Sequence, residues 1–95
     1  MIAQVLQIAV RTPMSDEDLK AGEEMASQAR KADGCEGILS LADPTTGEGL
    51  AIHLFRDQIA MDAYDALRQK LTKKPEQDLG VTVNKPHVYE VLVRL

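Results

Sequence analysis

Ninety-five residues carry eleven lysines and arginines against fifteen aspartates and glutamates, a net charge of −4. With its bases scattered, such a chain excludes a nucleic-acid-binding surface, which needs a positive face. Its single cysteine, Cys35, excludes an internal disulfide and fits a reducing compartment.

The length makes one domain, residues 1–95, and a thin core that an oligomer would thicken. No stretch approaches the roughly 18 apolar residues that span a bilayer. The chain starts directly on Ile2-Ala3-Gln4-Val5-Leu6, without a basic leader. The expectation is a cytoplasmic protein with no membrane or nucleic-acid partner.

Residues 2–11 read as a strand that is apolar on both faces. One parity holds Ile2, Leu6, Ile8 and Val10; the other holds Ala3, Val5 and Ala9, interrupted by Gln7. Thr12-Pro13 ends it. Ser15 then caps a helix, with Asp18 three residues on to complete a capping box and Asp16 and Glu17 suited to the positive helix end. The helix runs to about Ala32. Leu19, Gly22, Ala26 and Ala29 give it a face of small residues, expected to lie close on a sheet, and Gly34 stops it.

Gly37 to Asp43 is a second strand. Asp43-Pro44-Thr45-Thr46-Gly47-Glu48-Gly49 is a turn by its chemistry, and Leu50 to Phe55 returns as the third strand of a hairpin. Asp57 caps a second helix reaching about Lys73, with Ala60, Ala63, Tyr64, Leu67 and Leu71 as its apolar stripe and Pro75 as its stop. Lys70, Lys73 and Lys74 suit its negative end. A polar connector, 75–80, leads to a last strand placed most firmly over Val88–Arg94, with Pro86 interrupting any earlier pairing.

The order is β-α-β-β-α-β. Right-handed crossovers put both helices on one face of a four-stranded antiparallel sheet of order 4-1-3-2, a ferredoxin-like α+β fold. Two helices cover one face only. The other carries Val, Ile, Leu and Ala where a solvated face would carry charge, and an apolar patch of that size calls for a second copy packed face to face.

Gly34-Cys35-Glu36-Gly37 before the second strand, the 43–49 turn, Leu50–Phe55 leading into Asp57-Gln58-Ile59-Ala60-Met61, and the closing Val88-Tyr89-Glu90-Val91 resemble the dimeric α/β-barrel superfamily. Within it the chain is most similar to small proteins grouped with the antibiotic-biosynthesis monooxygenases. The resemblance implies a protomer whose sheet closes a barrel with its twin. It also implies an apolar pocket between sheet and helices in which a polar group helps ionise a phenolic substrate, without a cofactor.

Gln7, His53, Tyr64 and Tyr89 are the polar side chains such a pocket would use, and are the candidate catalytic residues. His53 and His87 are the only histidines, and strands three and four both flank strand one, so the strand order leaves the two free to converge. No Cys/His/Asp/Glu cluster has ligand spacing, so no metal is expected, and no cofactor. Cys35 follows a helix C-terminus and precedes Glu36, which disfavours a thiolate. The glycines match no phosphate-loop spacing. Two functions remain: a homodimer holding a small apolar ligand, and a cofactor-independent monooxygenase acting on a small aromatic or polyketide-like compound. A filled barrel serving only assembly is the third reading.

Overall fold

The computed structural model describes residues 1–71, 81–83 and 86–95. Strand β1 (Ile2–Val10) is followed by helix α1 (Asp16–Arg30), the hairpin β2 (Cys35–Ala42) and β3 (Glu48–Phe55), helix α2 (Gln58–Leu71) and two short strands, β4 (Val81–Val83) and β5 (His87–Glu90). Every pairing is antiparallel, in the order β2-β3-β1-β4, and β5 shares the β1 edge with β4. This is the expected 4-1-3-2 sheet with its last strand in two pieces, Pro86 lying between them. The Pro75 stop, the 75–80 connector and Lys73 and Lys74 lie outside the described residues.

Local chemistry sets most element ends. The Ser15 hydroxyl accepts the Asp18 N–H at 3.1 Å, and the Asp18 carboxylate accepts the Ser15 N–H at 3.2 Å, closing the capping box. Arg11 adds an ion pair to Asp18 at 2.9 Å. The Asp18 carboxyl is thereby held below its ordinary range, chiefly by the Ser15 hydrogen bonds and then by Arg11. A depressed carboxyl pKa stabilises the fold above the ordinary carboxylate range, and that contribution is lost as pH falls through the lowered value. Ser15→Ala is therefore expected to cost about 1 kcal/mol at neutral pH, read from urea denaturation. The difference from wild type should shrink as the pH is lowered through the range in which Asp18 protonates.

Helix α1 ends at Arg30 with Lys31 as its cap, short of the expected Gly34 stop. Gly34, at φ +80°, sits in the next turn, closed by the Cys35 N–H on the Ala32 carbonyl at 3.1 Å, and a Cβ there would collide with Ala60, so this glycine lets α2 come close. The Arg56 N–H donates to the Gly34 carbonyl at 2.8 Å, and Asp57 Oδ1 accepts the Ala60 N–H at 2.9 Å, fixing where α2 starts.

A register shift between Cys35 and Gly37 leaves Glu36 as an extra residue in β2. This bulge puts Cys35 and Ile38, three apart, on the same face, which simple alternation forbids. Arg30 braces it, donating to the Cys35 carbonyl at 2.6 Å. The core lies here, beneath α2: Cys35, Phe55, Ala60 and Met61 are buried, with Ile2, Ile38 and Tyr64 packed against them.

Three further expectations change. The last strand ends at Glu90, not Arg94, because Glu90 already faces Ile2 at the start of β1 and only the Val91 N–H, to the Met1 carbonyl at 3.0 Å, continues the ladder. The buried side of α2 is turned toward Met61 and Asp65, leaving Ala63 and Leu67 exposed. Helix α1 runs against β2, but its small face does not close on the sheet. No α1 residue is buried, and a Cβ added at Gly22 would touch nothing within 4 Å. Side chains this short do not reach across, so a cavity remains below them.

Candidate functional site

Gln4 sits on the parity of Ile2, Leu6, Ile8 and Val10, amid apolar neighbours, and is fully buried. An amide in such a place needs partners. Its Nε2 donates to both carboxylate oxygens of Asp65 on α2, at 3.1 Å each. Its Oε1 meets no donor among the described residues. Directly across the β1–β3 ladder from Gln4 is His53. The His53 ring meets Tyr64 edge-on at 5.6 Å and Phe55 at 6.3 Å, and Tyr64 leans on Phe55 at 5.3 Å. Gln4, His53, Tyr64 and Asp65 thus form one polar group in an apolar wall beneath α2.

Of the four candidates read from the sequence, His53 and Tyr64 come together here. Gln7 and Tyr89 have the opposite parity and lie on the sheet face without helices. His87 lies there too, facing Val5 across the ladder and stacked on Tyr89 at 6.3 Å, so the two histidines do not converge. Both flank β1, but the register sends them to opposite sides. Gln4 and Asp65 were missed. Gln4 interrupts the buried parity of β1 just as Gln7 interrupts the other. Asp65 stands four residues after Met61, one helical turn along the buried side.

Gln4→Leu keeps volume while removing the donor that holds Asp65. It is expected to lower stability by about 1.5–3 kcal/mol, the value of hydrogen bonds to a charged group, seen as a shifted urea midpoint with unchanged slope.

A cavity of about 410 Å³ opens on the same sheet face, between α1 and the strands, and none of these four residues lines it. Its walls are Ile8 and Val10 of β1, Ile38 of β2, and Met14, Leu19 and Ala26, with Gly22 in its roof. Ile38 belongs both to this wall and to the packing around Phe55, and it faces His53 across the β2–β3 ladder. Among the described residues no three metal-ligating side chains gather, and no helix is long and apolar enough to cross a membrane.

No family model matches the chain, and no curated protein sequence does. Solved structures do. A variant of SnoaB, a cofactor-independent oxygenase from Streptomyces nogalater, superposes with a TM-score of 0.74 at 15% identity, over 99% of this chain and 95% of that one. The shared fold is the ferredoxin-like α+β one. Candidate antibiotic-biosynthesis monooxygenases from Nitrosomonas europaea (TM-score 0.70, 18% identity, 98% of this chain and 100% of that one) and Deinococcus radiodurans (0.68, 20%, 100% and 96%) agree. At these identities the likeness is one of ferredoxin-like architecture.

Proposed function

We propose that the protein is a cytoplasmic homodimer of α/β-barrel type that holds a small apolar ligand between α1 and the sheet. The observation that carries this reading is the cavity of about 410 Å³. Its size falls in the lower part of the range for small-molecule pockets, and its walls are aliphatic with few polar groups. The dimer is supported by the sheet face opposite the helices, where Leu39, Leu41 and Tyr89 are roughly half exposed beside Val5, Leu50, Ile52 and Leu54.

Ala26→Leu tests the cavity. Leucine favours a helix almost as well as alanine, so α1 is retained while its side chain enters the space. Binding of a neutral apolar dye such as Nile red should fall at least tenfold, with thermal stability equal or higher. Unchanged dye binding counts against the reading.

A second reading is supported by the Gln4–His53–Tyr64–Asp65 group: cofactor-independent oxygenation of a small aromatic or polyketide-like compound. In that reading His53 takes the proton of a phenolic hydroxyl and Tyr64 flanks the ring. Gln7 and Tyr89, across the sheet, take part only through the dimer face. Oxygen uptake with hydroquinones and anthrones, lost in His53→Ala, is the expected result. No uptake across the panel leaves the ligand-binding reading alone.

A further inference from the structure

The polar groups on the cavity are few and of one sign. Asp18, Glu23 and Ser40 line it, and among the described residues no lysine, arginine or histidine does. The α1 N-terminus nearby would ordinarily draw an anion. Here its first turn already holds Asp16, Glu17 and Asp18, and the Ser15 hydroxyl takes the Asp18 N–H. Asp18 is itself engaged, accepting the Ser15 N–H and pairing with Arg11 at 2.9 Å. Glu23, two turns into α1 with its side chain on the cavity, has no ion pair among the described residues. The net charge of −4 adds a background of the same sign.

We propose that this cavity selects apolar ligands carrying a cationic amine, the hydrocarbon part lying against Ile8, Val10 and Ile38 and the ammonium meeting Glu23. The proposal rests on the ligand-binding reading above and adds the charge class to it. An apolar carboxylate would face Glu23, and the base nearest at hand, Arg11, is already paired with Asp18, whereas an alcohol would be neither drawn nor repelled.

Three ligands with one tail separate these cases: n-octylamine, 1-octanol and octanoate, titrated calorimetrically at pH 7 and low ionic strength, with Nile red displacement in parallel. The amine is expected to bind about fivefold tighter than the alcohol, as for a partly exposed charge pair, and octanoate weaker than both. Raising the salt should narrow the spread. In Glu23→Gln, which keeps the side-chain shape on an exposed helix position, the amine should fall to the level of the alcohol. Octanoate binding as tightly as octylamine would overturn the charge selection and leave the cavity reading standing. An unchanged order in Glu23→Gln, with circular dichroism intact, would remove Glu23 from the role. Failure of all three to bind or displace dye would overturn both readings together.

Discussion

Truncating Phe55 to alanine is expected to cost about 3–5 kcal/mol, the range for deleting a buried aromatic ring. Phe55 is only 1% exposed and, among the described residues, is one of the two largest fully buried side chains, the other being Gln4. It closes β3 against Cys35, Ala60 and Met61, and Tyr64 rests on its ring. The bulge at Glu36 and the bracing of Gly34 against α2 leave little room for the walls to collapse into the space. A domain of this size is stable by about 5–15 kcal/mol, so the loss removes a large fraction of the total. Urea denaturation should show the midpoint falling with the slope preserved. Ile59→Ala, at a side chain 78% exposed, is the control and should change stability by less than about 0.5 kcal/mol. A Phe55 variant as stable as the Ile59 one would show that the core does not centre there.

Placing a carboxylate at Ile52 is expected to separate the proposed dimer. Ile52 stands mid-strand in β3, between Val5 of β1 and Leu39 of β2, on the face the helices leave open. In a face-to-face pair with two-fold symmetry, Ile52→Glu introduces two carboxylates at once, both removed from water and flanked across the ladder by Val5 and Leu39. An uncompensated buried charge costs several kcal/mol, enough to weaken association at least a hundredfold. Light scattering should report twice the 10.4 kDa chain mass for the wild type and the single chain mass for the variant. Since Ile52 points away from the core around Phe55, far-ultraviolet circular dichroism should still show both helices. A wild-type protein that scatters as one chain at micromolar concentration would dispose of the dimer.

The parts of this fold that could be read in advance are those fixed by a few neighbouring residues. Ser15 with Asp18 and Asp43 to Gly47 in the turn act through their own backbone, and each works as its chemistry dictates, whereas Gly34 serves the turn after α1 and not the helix end, which Lys31 caps. Strand order followed from handedness, which needs only the sequence of elements. What escaped depends on register and distance. One bulge at Glu36 reset the faces of β2, and no local signal announces a bulge whose purpose is to bring Cys35 and Ile38 inward together. His53 and His87 looked adjacent because their strands flank β1, but only the paired residues reveal which side each faces. Gln4 was legible as a polar break in the inward parity of β1, while its partner Asp65 became visible only once α2 had been rotated onto Phe55. The small face of α1 had two outcomes from one pattern, close packing or an empty space, and short side chains alone do not choose between them.

The turn between β2 and β3 is tied to the far end of β1. The Gly47 carbonyl accepts the Val10 N–H at 2.8 Å, and a side chain at Gly47 would strike the Val10 carbonyl. Val10 is also part of the cavity wall. A change in a solvent-facing turn therefore propagates into the space where a guest molecule would lie, with no lining residue altered. If the cavity holds a ligand as proposed, a selection experiment that randomises only the lining would overlook that route.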